Sequence, residues 1–127
     1  MAKDTILVVD DEPEVRRAVA RHIRSRWPKY HVQELRDGAA ALDALSARVA
    51  LIVCDVNMPR LTGFELCRSL RDAPVESGYT DLPVILLTAR DSEADMDKSW
   101  DSGSTLHIAK PFEPDKLDAA LRQVLGG

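Results

Sequence analysis

Residues 5–11 read TILVVDD. An unbroken apolar run, rich in β-branched residues, closes on a pair of aspartates. The same grammar recurs at 51–55, LIVCD, and at 84–88, VILLT. Short apolar runs without polar alternation suit strands buried on both faces, as in a parallel sheet covered by helices. These runs predict strands β1 (5–9), β3 (51–54) and β4 (84–87). HVQEL at 31–35 alternates weakly and predicts an edge strand, β2. TLHI at 105–108 predicts a shorter β5.

Helical patterns fill the intervals. Val15, Val19 and Ile23 recur every four residues behind Pro13, which suits a first helical turn because its missing N–H has no partner there anyway; this is α1. Ala39 to Ala47, with Leu42 and Leu45, predicts α2, and Asp37 can cap its start. Phe64, Leu66, Cys67, Leu70 and Arg71 predict α3. Residues 92–102 predict α4, capped by Asp91 or Ser92 and stopped near Gly103. Leu117, Ala120, Leu121, Val124 and Leu125 form the apolar stripe of α5, which Gly126 ends.

A strand followed by a helix, five times over, calls for an α/β fold with helices on both faces of a parallel sheet. Right-handed crossovers leave few topologies. The flavodoxin-like, doubly wound order 2-1-3-4-5 is the commonest at this size. The 127 residues are enough for one core and too few for two, so 1–127 reads as a single domain. DAPVESGYTDL at 72–82 is long for a helix-to-strand connection and predicts a mobile loop.

Composition narrows the function. Hydrophobic residues make up 45% and charged residues 30%, ordinary for a globular domain. No apolar run reaches the roughly 20 residues of a membrane helix, and Met1 to Asp4 lacks a signal-peptide pattern, so the expected location is the cytoplasm. Cys54 and Cys67 read as small core hydrophobes. A net charge of -4 argues against direct nucleic-acid binding. Arg16, Arg17, Arg21, Arg24, Arg26 and Lys29 crowd the first quarter; Asp91, Glu93, Asp95, Asp97 and Asp101 crowd the last third. Both runs read first as solvated helix faces.

Sites in open α/β sheets form beyond the carboxyl ends of the strands. There lie Asp10, Asp11 and Glu12 after β1, Asp55 after β3, Thr88 after β4, and Lys110 after β5. Each alone has a plainer reading: Asp10 and Asp11 as helix caps, Asp55 as a turn residue, Lys110 as a surface lysine. Together they place carboxylates at one edge, where mutual repulsion opposes joint ionisation. A hard cation resolves that: magnesium, or manganese or calcium. The Lys110 ammonium and the Thr88 hydroxyl would complete a phosphate pocket.

Asp10-Asp11, Asp55 with Met58-Pro59 and Gly63 behind it, Thr88-Ala89, and Lys110-Pro111-Phe112 together resemble the receiver domain of two-component response regulators. The four blocks keep the family's order and spacing over nearly the whole chain. The resemblance implies that Asp55 is the phosphoacceptor. Asp11 and Asp55 would bind Mg2+ with the backbone carbonyl of Asn57, and Asp10 would act through a metal-bound water. Lys110 would pair with the phosphate, Thr88 would move to hydrogen-bond it, and a cis bond would precede Pro111. The implied partner is a histidine kinase or histidine phosphotransfer protein, with the basic α1 as a docking face. An output domain or target would read the α4-β5-α5 surface, as a monomer or a weak phosphorylation-linked dimer. Such a module is a signalling phosphoacceptor that promotes its own phosphorylation and dephosphorylation rather than an enzyme.

Two departures stand out. His107 occupies the position three before the lysine where the family carries an aromatic switch residue. Leu106 replaces a frequently acidic residue. Imidazole is smaller than phenol and can carry charge near neutrality, so an altered switch is expected. Asn57 and Arg90 fall where the family tunes phosphate hydrolysis. Three other functions compete. A phosphate-independent interaction module would survive Asp55→Asn. A flavin carrier needs a Ser/Thr/Gly-rich loop where Asp10-Asp11-Glu12-Pro13 stands. An aspartyl-intermediate hydrolase expects a second Asp where Glu12 stands.

Overall fold

The computed structural model describes residues 3–58, 60–88, 103–110 and 113–126. Five parallel strands lie in the order β2-β1-β3-β4-β5, the predicted arrangement. They are β1 (Thr5–Val9), β2 (His31–Leu35), β3 (Val49–Asp55), β4 (Val84–Thr88) and β5 (Leu106–Ala109). The described helices are α1 (Pro13–Arg26), α2 (Gly38–Asp43), α3 (Gly63–Arg71) and α5 (Pro114–Leu125). The predicted α4 lies outside the described residues, as do Pro59, Ala89, Arg90, Trp100, Pro111 and Phe112.

Strand periodicity explains the two-sided core. Successive side chains point to opposite faces. Ile6, Val8, Leu51, Val53, Ile85 and Leu87 pack with Val19, Ile23, Leu117 and Leu121 from α1 and α5. Their alternates Leu7, Val9, Ile52, Cys54, Val84 and Leu86 pack with Leu66, Cys67 and Leu70 of α3 and Ala41 of α2. Both cysteines are buried, and neither forms a disulfide among the described residues. Burial pushes the Cys54 thiol well above its ordinary value, and the nearby Asp55 carboxylate adds to that.

Local chemistry sets the helix boundaries. Pro13 opens α1. The Asp37 carboxylate accepts from the Ala40 N–H at 2.8 Å and caps α2. Thr62 and Glu65 form a reciprocal capping box on α3. The predicted span of α2, Ala39 to Ala47, is too long. After Asp43 the ladder tightens: the Ala44 N–H is shared between the Ala40 and Ala41 carbonyls, the Leu45 N–H reaches back only three residues to Leu42, and a further turn runs from Val49 N–H to the Ser46 carbonyl. That reversal is needed because β3 begins at Val49, two residues earlier than its apolar run suggests. The Arg48 carbonyl already accepts from the Asp4 and Thr5 N–H groups, so pairing with β1 starts there.

The 72–82 segment carries a short 3-10 helix, Val75–Ser77. It is tied down by Arg71, whose guanidinium donates to the carbonyls of Leu82 at 2.8 Å and Gly103 at 2.8 Å. Within the segment expected as a mobile loop, Arg71 of α3 thus satisfies the Tyr79 and Leu82 carbonyls.

Candidate phosphoryl and metal site

The carboxyl ends of β1 and β3 are neighbours in the sheet, with Val9 level with Cys54. The residues that follow therefore converge. Carboxylate oxygens of Asp10, Asp11, Glu12 and Asp55 all lie within 4.8 Å of one another. Asp10 and Asp55 are buried; Asp11 and Glu12 are exposed.

Backbone donors hold the two buried acids. Asp10 Oδ1 accepts from the Glu12 N–H at 2.9 Å, and Asp55 Oδ1 accepts from the Asn57 N–H at 3.2 Å. Glu12, not either aspartate, is the residue that precedes α1, and its side chain makes no cap. The helix-cap reading of Asp10 and Asp11 therefore fails. Gly63 packs against the turn after β3: a Cβ there would sit 2.5 Å from the Asp55 carbonyl oxygen. Only glycine lets α3 start so close beneath Asp55.

Lys110 follows β5 and reaches across the sheet edge. Its Nζ lies 3.2 Å from Asp10 Oδ2, 3.2 Å from Asp55 Oδ1 and 3.1 Å from Glu12 Oε1. Burial pulls the ammonium down, but Asp10, Asp55 and Glu12 outweigh it and lift Lys110 to about 12. Asp10 moves up, because burial penalises its charge and Asp55 repels it, despite the Glu12 N–H and Lys110. One lysine thus faces four carboxylates. The excess negative charge, hard oxygen donors, and a buried Asp10 Oδ2 without an aligned hydrogen bond fit a divalent cation. Asp10, Asp11 and Asp55 are the side chains that could hold it.

Thr88 ends β4, buried, and its hydroxyl donates to the Ile108 carbonyl of β5 at 3.4 Å. The hydroxyl thus bonds to the neighbouring strand. His107 lies level with Leu86 on β5. It is half-buried and lines a groove of about 380 Å³ with Leu106, Lys116, Ala119, Ala120 and Gln123.

One feature escaped the sequence reading: Glu12, which stands beside the aspartates and shares Lys110. The basic run from Arg16 to Lys29 is largely the solvated helix face expected of it, with Arg17, Arg21, Arg24, Arg26 and Lys29 exposed, and part of it also bonds within the domain. Arg16 donates to the Asp10 carbonyl at 3.0 Å and Arg24 pairs with Glu34 at 3.2 Å. Arg26 pairs with Asp118 at 3.2 Å. Arg16 is half-buried, while Arg24 and Arg26 pair within the domain and stay exposed, as Arg17 and Arg21 are. The acidic run 91–101 lies outside the described residues.

The sequence profile of the family "Response regulator receiver domain" matches residues 6–122. The response regulator MprA of Mycolicibacterium vanbaalenii is 40% identical over 121 residues, covering 94% of this chain and 49% of that protein. The MprA of Mycobacterium avium is equally similar. The chain spans about half the length of the curated relatives it matches. Among solved structures, the chemotaxis response regulator CheY4 of Vibrio cholerae superposes with a TM-score of 0.81 at 33% identity, covering 95% of this chain and 98% of that one. The signal receiver domain of a histidine kinase from Syntrophus aciditrophicus gives 0.82 at 30% identity, covering 98% and 91%.

Proposed function

This chain belongs to the response regulator receiver family of two-component signalling, and from that premise we propose that Asp55 accepts a phosphoryl group from a phosphohistidine donor. The observation that carries the reading is the buried Asp55 carboxylate, 3.2 Å from Lys110 and within 4.8 Å of three further carboxylates.

Asp55 Oδ1 is engaged by Lys110 and the Asn57 N–H. With Oδ1 so engaged, Oδ2 is the oxygen assigned to attack phosphorus. The new P–O bond forms as the P–N bond to the donor imidazole breaks, and the imidazole leaves with the electron pair and takes up a proton. Asp10, Asp11, Asp55 and the Asn57 carbonyl would hold Mg2+, or Mn2+, which neutralises charge on the phosphoryl oxygens. Lys110 would exchange its contacts with Asp10 and Glu12 for the phosphate. Hydrolysis returns the carboxylate, so the domain promotes its own phosphorylation and dephosphorylation.

Phosphorylation adds roughly -1.5 to -2 charge. Thr88 would then release the Ile108 carbonyl and donate to the phosphate. That loosens the tie between β4 and β5 beside His107, and changes the β5-α5 groove read by an output domain or target. The source of phosphate would be a histidine kinase or phosphotransfer protein, and the setting the cytoplasm. No helix among the described residues is long and apolar enough to cross a membrane.

The test is incubation with acetyl phosphate and Mg2+, followed by intact-mass and hydroxylamine-lability analysis. A labile adduct on Asp55, absent without Mg2+, is the expected result. A folded protein with no adduct sinks the reading.

A further inference from the structure

Beside the acidic cluster lies a cavity of about 340 Å³ lined by Asp11, Arg36, Asp37 and Arg60. It shares Asp11 with the phosphoacceptor site, and its other residues come from two other loops at the same end of the sheet. Arg36 follows β2 and Arg60 follows the Asp55 turn. Both arginines are exposed, and neither has an ion pair or hydrogen bond among the described residues. In α1, by contrast, Arg16 is engaged by the Asp10 carbonyl, Arg24 by Glu34 and Arg26 by Asp118. Asp37 is engaged as the α2 cap.

Arg60 has φ +70°, alone among the described non-glycine residues in the left-handed region. A glycine would adopt this backbone more easily. The arginine therefore adds something there that the turn itself does not need: a charge at the mouth of the site.

Charge balance says what for. Four carboxylates against Lys110 and a divalent cation still leave one negative charge, and Asp37 adds a second. A phosphoryl donor arrives as an anion and is repelled. Arg36 and Arg60 cancel those two charges at the rim. Resting on the phosphoacceptor reading, we propose that Arg36 and Arg60 form a cationic rim that draws the phosphoryl dianion of the donor into the Asp11 cavity, and so set the rate of donor capture. Exposed charges act through a screened field, so their effect fades over a Debye length of about 8–10 Å at physiological salt. The same charges repel the metal. The rim thus speeds the anion and weakens the cation, a pair of opposite effects that a merely structural role would not produce.

The experiment compares the wild-type chain with an Arg36→Gln/Arg60→Gly pair and an Arg36→Lys/Arg60→Lys pair. Initial rates of Asp55 labelling are measured at saturating Mg2+, subsaturating acetyl phosphate and varied ionic strength. Mg2+ affinity is measured by calorimetry. The neutral pair is expected to label about three- to tenfold more slowly at low salt, converging with wild type at high salt. It is also expected to bind Mg2+ a few-fold more tightly. The lysine pair should keep both wild-type values. Equal low-salt rates in the neutral pair and wild type overturn the rim while leaving the phosphoacceptor reading intact. So does a lysine pair as slow as the neutral one, or weaker Mg2+ binding in the neutral pair. Absence of any wild-type label overturns both.

Discussion

The two ends of the sheet carry the same kinds of side chain and treat them in opposite ways. At the amino end, Asp4 pairs one-to-one with Arg48, bidentate and exposed. Hydrogen bonds from Arg48 and Thr5 hold its carboxyl at about 2. At the carboxyl end, Asp10 also has a cation at 3.2 Å, yet its carboxyl is pushed up. The difference is stoichiometry and burial. Arg48 answers one acid in water, while Lys110 is divided among Asp10, Glu12 and Asp55, two of them buried. One end is a finished ion pair. The other is a charge imbalance that a cation and a phosphate can complete, and that contrast supports the proposal that it is the functional end.

The largest break in that contrast is removal of the acceptor. Asp55→Asn should abolish labelling by acetyl phosphate, read by intact mass. It should also raise the stability of the metal-free domain by on the order of 1 kcal/mol, because a like charge beside Asp10 is gone. Lower metal-free stability in urea titration would contradict the imbalance.

Magnesium comes next. Saturating the wild type at about 100 times Kd should stabilise it by about 2.7 kcal/mol. Asp11→Asn should lose most of that gain in thermal melts, while Asp4→Asn should keep it. Gly63→Ala tests the scaffold beneath. Its Cβ would overlap the Asp55 carbonyl, so a destabilisation of about 2 kcal/mol is expected, with slower labelling in the fraction that folds.

The smallest effects are the pH limbs. A carboxyl raised on folding holds its proton more tightly in the folded state. Asp10 therefore adds stability to the metal-free domain as pH falls from neutrality through its raised value, and that gain is absent at higher pH. Asp4 does the reverse: its contribution stands above the ordinary carboxyl range and is lost as pH falls toward about 2. Melting curves of Asp10→Asn should lack the first limb and those of Asp4→Asn the second. Identical profiles would remove the distinction between the two ends.

Much of this was legible beforehand. The apolar runs, the β-α alternation and the register of Asp10, Asp55, Thr88 and Lys110 at strand ends follow from local pattern and the connection rules. The length of α2 was misjudged because alanine and leucine propensity says nothing of where β3 must begin. The role of Glu12 was missed because its partner, Lys110, is 98 residues away in the chain.

By itself, then, the sequence determined the strands, their order, and which polar residues stand at the carboxyl edge, because periodicity and handedness are local physics. Only the tertiary structure decided how charge is shared there. Lys110 answers three acids, the Thr88 hydroxyl bonds to β5, and Arg36 and Arg60 line one cavity with Asp11. Such matches depend on distances between loops far apart in sequence, and those distances exist only once the sheet has closed.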